Sequence, residues 1–463
     1  MPDTRHQPLY PFLVSLLFRI RGGGDASMAM FNGLMFLLTG GVLYALSNRL
    51  WDRSIALLTV VLYFVSVEAL GAALTAAGGS LTGLLLLTTL WAAVRYRQQS
   101  EPTTGQGEPA GVRASLLGPL AVGALFGLTY LSGLATCLLV IPIVFLSTTR
   151  SERRVAGVAL LVAAIAVTLP WTVRNVMVTG TPLPAVSSYA MLSYTDSYAE
   201  DSIFRQLPQE VPSVTSFIVE HPGEMIKKLA WGLTRCYRAV PNVVSPYLFP
   251  FFVLGGLMFA GGGLRRELWR VVVAMAALQV LVVALLDHGN TGSLRILTPV
   301  VTCLAVGAGV DQIRRIVSAR FSQWLLGAAI LALLLFASVG SMVLGGRADV
   351  DTSRPSLEVL REHLAADAVI ASDTAAQVAW YSDKPTVLLP ETPGGLESLQ
   401  QQGLTIDYIY LSDDILGPTF RPAFRDWRQL VGSEELEDLG EVLPLPGREL
   451  LIEQRNKRIA QPM

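Results

Sequence analysis

Long apolar runs alternate with short polar segments over the first three quarters of the chain. A helix needs about 20 residues to cross the hydrocarbon core of a bilayer, and several runs approach that length while others are shorter. The pattern predicts a polytopic α-helical membrane protein with about ten spans. Residues 8–20 form a shorter piece that we expect to lie in the interface or dip partway. The predicted spans cover residues 28–47, 55–77, 81–94, 115–131, 134–146, 155–173, 247–264, 271–286, 296–310 and 324–344.

Arginine residues in the loops fall on alternate sides of these spans. Because basic residues of short loops gather on the cytoplasmic side, the pattern predicts one cytoplasmic face and a location in the inner (cytoplasmic) membrane. The other face receives an outer loop at 174–246, a turn at 287–295 and the tail from residue 345. The loop arginines are Arg49, Arg53, Arg95, Arg97, Arg113, Arg150, Arg153, Arg154, Arg265, Arg266, Arg270, Arg314, Arg315 and Arg320.

This order places the N-terminus on the outer face, so we expect that a first span precedes residue 1 in the complete protein. In the alternative, residues 8–20 cross as a short helix and the N-terminus is cytoplasmic. Arg19 and Arg21 would then lie outside, against the charge rule.

The run at 155–173 leads into LPWTVRNVMVTGTPLP, where apolar sequence gives way to polar sequence. Trp171 is the kind of ring expected at headgroup level. Gly180 and the prolines after it are expected to stop the helix. Arg174 and Asn175 are thereby placed at a water boundary, where the arginine can meet a lipid phosphate.

Residues 214–237 of the outer loop show apolar positions at helical spacing, interrupted at His221-Pro222-Gly223. Lys227 and Lys228 lie among the apolar positions. This pattern is typical of an amphipathic helix in the membrane interface. A solvated helix packed on the bundle is an equally open alternative.

The tail has a different pattern, in which short β-branched runs alternate with helical segments. Helices are predicted at 356–365 and 374–381, and strands at 368–371, 386–389 and 407–411. We therefore expect a membrane domain at 1–345 and a small extracytoplasmic α/β domain at 346–463. Because the tail contains neither a glycine-rich phosphate loop nor a nucleophile elbow, a structural or substrate-positioning cap is the favoured interpretation.

Composition agrees with a membrane protein, because 52% of the 463 residues are hydrophobic, 15% are charged and the mean hydropathy is +0.48. A net charge of −1 gives no indication of a nucleic-acid partner. Three cysteines and four histidines are scattered along the chain, so the sequence supports neither a disulfide framework nor a metal site.

Three stretches resemble segments of the GT-C glycosyltransferases. Residues 5–11, RHQPLYP, resemble an HPPLYP segment, residues 169–175, LPWTVRN, resemble a PWxxRN segment, and Arg295 with Pro299 resembles an RYxxP segment. The nearest type is family 39, which includes protein O-mannosyltransferases and aminoarabinose transferases. The resemblance covers the membrane region from Arg5 to about Leu344.

The resemblance implies transfer of a sugar from a polyprenyl-phosphate donor to an acceptor glycan, lipid or protein on the outer face. Such chemistry needs cations that hold the lipid phosphate, and an acidic group that acts as a base or as a partner of a divalent metal. Donor-phosphate candidates are Arg174, Arg295, Lys227 and Lys228. Substrate-contact candidates are His6, Tyr10, Asn175, Asp287 and His288.

The catalytic acid of such enzymes lies in a loop before the HPPLYP-like segment, which places it upstream of Met1 here. Within the chain, the candidates are Asp3 and Glu68, the latter inside an apolar run. An acid that relatives often carry at the start of their fourth span has no counterpart near Gly79 and Ser80. The alternatives to an active transferase are a catalytically inactive scaffold that binds a lipid phosphate, and a transporter.

Overall fold

The structure is a computed structural model, in which the chain divides into two compact units. One unit comprises Met1–Ala190 and Ile226–Gly346, and the other comprises Met191–Met225 and Arg347–Met463. The residues that the structure describes are 7–74, 78–100, 116–148, 153–182, 189–200, 202–205, 211–244, 248–258, 263–286, 291–316, 328, 332, 354–401, 403–417, 422–431, 433, 436–445 and 448–454.

Helices dominate the chain before residue 320. Short 3₁₀ segments lie at Leu134–Leu139, Ser202–Arg205 and Arg295–Leu297. The helices are α1 (Leu9–Arg21), α2 (Asp25–Leu50), α3 (Arg53–Phe64), α4 (Val67–Leu74), α5 (Gly79–Ser100), α6 (Leu117–Ser132), α7 (Val140–Ser147), α8 (Arg153–Thr179), α9 (Ala190–Leu192), α10 (Val214–Glu220), α11 (Pro222–Val244), α12 (Phe249–Met258), α13 (Leu264–Leu286), α14 (Thr291–Leu294) and α15 (Thr298–Ile316).

Four helices among the described residues are long and apolar enough to cross a membrane: Asp25–Leu50, Arg154–Thr179, Leu264–Leu286 and Gly292–Asp311. The shorter α1 has 13 residues, which corresponds to about 20 Å of helix. The predicted span at 324–344 lies outside the described residues, except for positions 328 and 332.

One predicted continuous span is broken in the structure. The run at 55–77 contains two helices: α3 ends at Phe64, and the hydroxyl of Ser66 accepts a hydrogen bond from the backbone N–H of Ala69 at 3.3 Å, in the first turn of α4. The run at 134–146 begins as a 3₁₀ segment and continues directly into α7 as one apolar helical segment, Leu134–Ser147. Apolar composition alone could not reveal the break after Phe64.

Helix α8 carries two contrasting faces. The first face packs on α6, whose glycines Gly123 and Gly127 are four residues apart. A Cβ at Gly123 would lie 2.1 Å from the carbonyl oxygen of Leu160 in α8, and a Cβ at Gly127 would lie 3.0 Å from the carbonyl oxygen of Ala164. This close backbone approach is the small-residue packing of membrane helices. The other face exposes large apolar side chains, which suits contact with lipid. They are Val155, Val158, Val162, Ile165 and Leu169.

Arg97 of α5 contacts the end of α7 and the first turn of α13. Its Nη1 donates to the backbone oxygens of Thr148 at 3.0 Å and Leu146 at 3.4 Å, after and within the last turn of α7. Its Nη2 lies 2.9 Å from a carboxylate oxygen of Glu267, in the first turn of α13. A cation at the carbonyl end of one helix and an anion at the amide end of another both complement the helix dipoles.

The second unit contains a five-stranded sheet in the order β2-β1-β3-β5-β4. β1 pairs in parallel with β2 and β3, whereas β5 is antiparallel to β3 and β4. The strands are β1 (Ile370–Ser372), β2 (Thr386–Leu388), β3 (Tyr408–Leu411), β4 (Gly440–Pro444) and β5 (Leu450–Gln454). The helices are α16 (Arg354–His363), α17 (Ala375–Ser382), α18 (Gly395–Gln401), α19 (Asp413–Leu416), α20 (Arg425–Val431) and α21 (Leu436–Leu439), with a 3₁₀ turn at Pro422–Phe424.

A buried carboxyl links the two central parallel strands at their carboxyl ends. Asp373 follows β1 and Ser412 follows β3, and Asp373 accepts hydrogen bonds from the backbone N–H of Ser412 at 3.0 Å and from its hydroxyl. Burial raises the pKa of the Asp373 carboxyl above its ordinary value, although the bonds from Ser412 act in the opposite direction.

Candidate functional site

A small polar pocket lies inside the helical unit. Among the lining residues that the structure describes, the charged one is Arg295, in the 3₁₀ turn between α14 and α15. Hydroxyl side chains supply most of the remaining polarity. The described lining residues are Thr39, Tyr63, Ala69, Gly79, Ser80, Gly83, Arg295, Thr298 and Pro299.

The first turns of two helices border the pocket. Ala69 lies in the first turn of α4, and Gly79 and Ser80 begin α5. Thr298 lies within the continuous helical segment Gly292–Asp311, and its backbone N–H donates to the carbonyl oxygen of Arg295. Backbone N–H groups at a helix N-terminus carry a partial positive charge of about half a unit. Their convergence with one guanidinium therefore gives the pocket an electrostatic preference for anions.

Close packing positions Arg295. A Cβ at Gly71 of α4 would lie 4.0 Å from Arg295 Nη1, and one at Gly83 of α5 would lie 3.6 Å from the carbonyl oxygen of Ile296. The neighbouring Thr298 is held by a hydrogen bond from its hydroxyl to the carbonyl oxygen of Val243, near the end of α11. The turn that carries Arg295 thus packs against α4 and α5 at ordinary van der Waals distances.

Arg295 forms neither a hydrogen bond nor an ion pair through its side chain with any other residue that the structure describes. It is half-buried and lines the pocket. A guanidinium presents five donors in a fixed fork, which matches two oxygens of a phosphate or carboxylate. The pocket can therefore hold an anionic group by bidentate hydrogen bonds.

The predicted pair Arg174 and Asn175 lies elsewhere, within the last turns of α8. The Arg174 guanidinium carbon lies 4.4 Å from the ring centroid of Trp171, and Nη1 donates to Oδ1 of the buried Asn175 at 3.2 Å. The helix continues to Thr179 and ends at Gly180, whose φ of +75° is a left-handed conformation that suits glycine. Gly180 does stop the helix, as predicted, five residues after Asn175.

The other residues predicted to bind the donor phosphate or the substrate are dispersed over the helical unit. Lys228 is 2% exposed and its Nζ donates to the carbonyl oxygen of Ala190 at 2.8 Å, whereas the adjacent Lys227 is exposed. Tyr10 is buried between α1 and α2, with its hydroxyl 3.3 Å from Asn32 Oδ1. The structure therefore does not bring these side chains together in the pocket.

Four candidates lie outside the described residues: Asp3, His6, Asp287 and His288. Glu68 belongs to α4, three residues before Gly71, but its side chain is outside the described part of the chain. Within the described residues, no three His, Cys, Asp or Glu side chains are grouped so that they could hold a metal ion.

Sequence reasoning missed the hydroxyl residues that line the pocket with Arg295. Thr39, Tyr63 and Thr298 lie in three different helices and are 2%, 6% and 2% exposed. Each is a polar residue inside an apolar run, which is the signal that could have drawn attention to it. The sequence alone could not show that these runs converge.

Comparison with known proteins places this geometry in a family context. Residues 5–174 match the family model of dolichyl-phosphate-mannose-protein mannosyltransferases. The match includes the first part of the pocket and ends at Arg174, before Arg295. No curated protein sequence matches the chain.

Solved structures match over almost the whole chain. ArnT from Cupriavidus metallidurans bound to undecaprenyl phosphate shares 12% identity and superposes with a TM-score of 0.58, over 99% of this chain and 90% of that protein. The chain has a GT-C-like fold. The apo form of the same ArnT matches with a TM-score of 0.57 at 12% identity, over 97% and 87% of the two chains.

A second GT-C protein matches less completely. The oligosaccharyltransferase of Archaeoglobus fulgidus, in complex with zinc and sulfate, shares 12% identity at a TM-score of 0.55, over 89% of this chain and 60% of that protein. With the family-model match, these structures confirm the predicted resemblance to GT-C glycosyltransferases of the family 39 type. At this identity, the superpositions establish a common fold. Together with the four long apolar helices, the fold supports a multi-pass membrane protein.

Proposed function

We propose that this protein is a membrane glycosyltransferase that moves a sugar from a polyprenyl-phosphate donor to an extracytoplasmic acceptor. In this proposal about ten spans cross the inner membrane, and residues 346–463 form an outer α/β domain. The observation that carries the proposal is the convergence of Arg295 and the first turns of two helices on one pocket of a GT-C-like fold. The donor phosphate of the proposed reaction is the anion that this pocket would bind.

Physical chemistry supports a phosphate at this position. A charged side chain inside a membrane protein is costly unless it has a partner or reaches water. Arg295 has no ionic partner among the described side chains, so a bound phosphate would supply one. When the sugar leaves, negative charge grows on the phosphate, and fixed donors that already point at it stabilise that charge.

Arg174 is a second proposed phosphate ligand, and its environment gives it a different character. Its guanidinium lies against Trp171 and bonds to Asn175, so it is oriented before any ligand arrives. We propose that Arg295 makes the main contact and that Arg174 contributes less.

The test is binding of undecaprenyl phosphate to the purified full-length protein and to its Arg295→Lys and Arg295→Gln variants. A hydrogen bond to a charged group contributes about 1.5–3 kcal/mol, so Arg295→Gln should weaken binding roughly 10- to 100-fold. Arg295→Lys keeps the charge but loses the fork, so an intermediate loss is expected. Arg361→Gln, an exposed arginine of the second unit, is the matched control.

Three outcomes separate the alternatives. Unchanged affinity of both Arg295 variants, with unchanged thermal stability, would reject the pocket as the phosphate site. A protein that binds undecaprenyl phosphate but releases no sugar from a polyprenyl-phosphate sugar would be a scaffold. Passage of the intact donor across vesicles without sugar release would indicate a transporter.

A further inference from the structure

Two exposed arginines from different helices share one indole ring. Arg49 lies at the end of α2 and Arg95 lies in α5, and their guanidinium carbons are 5.9 Å and 5.4 Å from the ring centroid of Trp91 in α5. Both distances are within the range of a cation–π contact. The two guanidinium carbons are therefore at most about 11 Å apart. Both arginines belong to the face that the loop charges predict to be cytoplasmic.

This pair of positive charges has no anionic partner among the residues that the structure describes. Nη1 of Arg49 donates to the neutral Oε1 of Gln98 at 3.0 Å, and the side chain of Arg95 forms neither a hydrogen bond nor an ion pair with any described residue. Arg97, two residues later, differs because it is paired with Glu267. Two like charges on one ring, with most of their donors unused, therefore favour an anion beside them.

An apolar track leads from each arginine toward the middle of the membrane. Positions eleven residues apart on a helix point within about 20° of each other and lie about 16.5 Å apart along the axis. Leu38 of α2 precedes Arg49 by eleven residues and is 47% exposed, and the half-buried Leu84 of α5 precedes Arg95 by the same number. Since one leaflet supplies about 15 Å of the hydrocarbon core, each track has the length of a lipid's acyl chains.

We propose that α2 and α5 bind one anionic glycerophospholipid of this leaflet, with its phosphate held by Arg49 and Arg95 beside Trp91. Its acyl chains lie along Leu38 and Leu84. Charge complementarity decides the occupant: the apolar tracks alone would suit any lipid, whereas the arginine pair at their end selects a negative headgroup. A guanidinium fork holds two phosphate oxygens, and a half-buried indole suits the boundary between headgroups and acyl chains.

This inference does not depend on the proposed glycosyltransferase activity, because the residues that carry it differ from those that line the Arg295 pocket. The test is binding of phosphatidylglycerol and phosphatidylcholine to the delipidated full-length protein in detergent, followed by native mass spectrometry. Each arginine is expected to favour the anionic lipid by about fivefold, so the pair should give a preference of up to about 30-fold.

The Arg49→Gln/Arg95→Gln variant should lose this preference. Arg49→Lys/Arg95→Lys keeps both charges but lacks the forks, so an intermediate preference is expected. The matched control is Arg154→Gln/Arg270→Gln, which removes two exposed arginines of α8 and α13 on the same predicted face. This control should bind as the parent does, because general attraction to a basic surface would be reduced equally in both glutamine variants.

Four results would overturn the proposal. The first is equal affinity of the parent protein for the two lipids, and the second is an equal loss in the two glutamine double variants. The third is a preference lost in Arg295→Gln and kept in Arg49→Gln/Arg95→Gln, which would put the lipid in the pocket. The fourth is displacement of phosphatidylglycerol by millimolar inorganic phosphate, which would indicate a site for a free anion. Unfolding monitored by circular dichroism verifies that each variant is folded, and the lysine variant keeps the test decisive if the glutamine variant is not.

Discussion

The packing of α6 on α8 makes a sharp prediction about single methyl groups. The added Cβ of Gly123→Ala would lie 2.1 Å from the Leu160 carbonyl oxygen. A carbon atom normally approaches a carbonyl oxygen to about 3.3 Å, so the two helices must separate by about 1.2 Å. Neither partner is a flexible side chain, so the strain cannot be relieved by a rotamer change.

Adjacent glycines of α2 provide matched controls. A Cβ at Gly41 meets nothing within 4 Å, whereas one at Gly40 would lie 2.2 Å from the Phe64 ring. A ring can shift where a backbone carbonyl cannot. All three changes replace glycine by alanine within a helix, so the differences between them report the surroundings.

The expected order of stability follows from these contacts. Overpacking of a well-packed interior costs about 1–3 kcal/mol, and Gly123→Ala should fall at or above the upper end. Gly40→Ala should cost about 1 kcal/mol, as expected for a side chain pushed from its preferred rotamer. Gly41→Ala should be neutral or slightly stabilising.

The measurement is unfolding of the purified protein in mixed detergent micelles as the fraction of sodium dodecyl sulfate rises, followed by circular dichroism. A Gly123→Ala variant as stable as Gly41→Ala would refute the close approach of α6 to α8. A Gly40→Ala variant less stable than Gly123→Ala would show that the ring of Phe64 is held more rigidly than the helix backbone.

Two further predictions concern buried charge. Arg97→Gln removes hydrogen bonds to two carbonyl oxygens and an ion pair to a partly exposed carboxylate, so a loss of about 1–2 kcal/mol is expected in the same unfolding measurement. Burial raises the pKa of the Asp373 carboxyl in the folded protein above its value of about 3.9 in the unfolded chain. The protonated carboxyl therefore contributes fully to the free energy of unfolding below about pH 3.9, and this contribution is lost as the pH rises through the folded-state pKa. Thermal unfolding between pH 4 and pH 8 should show this loss in the parent and not in Asp373→Asn; an equal slope in both would contradict it.

Local sequence signals predicted local features well. The break at His221-Pro222 is present, because α10 ends at Glu220 and α11 begins at Pro222. Several strands of the tail lie within two residues of their predicted positions, since short β-branched runs between turn residues are a strong local signal. The number of spans stays a prediction.

Features set by long-range packing were not predictable in the same way. The strands β4 and β5 were missed, because β4 contains Gly440 and Pro444 and, among the described strands, pairs with β5 at the edge of the sheet. The pocket was also missed, because its hydroxyl residues belong to separate helices. Apolar periodicity along the sequence does not indicate which helices become neighbours.

The proposed phosphate site lies where the sequence lacks an acid that the resemblance implied. The resemblance to GT-C glycosyltransferases implied an acid near Gly79 and Ser80, and the structure has both residues on the wall of the Arg295 pocket. A carboxylate there would compete with a phosphate for the guanidinium fork, because both present paired oxygens. With Ser80 in that position, the cationic character of Arg295 and of the helix N-termini is left for the ligand. On the proposed function, this favours tight binding of the lipid phosphate, and the acid that the chemistry needs must come from another part of the protein.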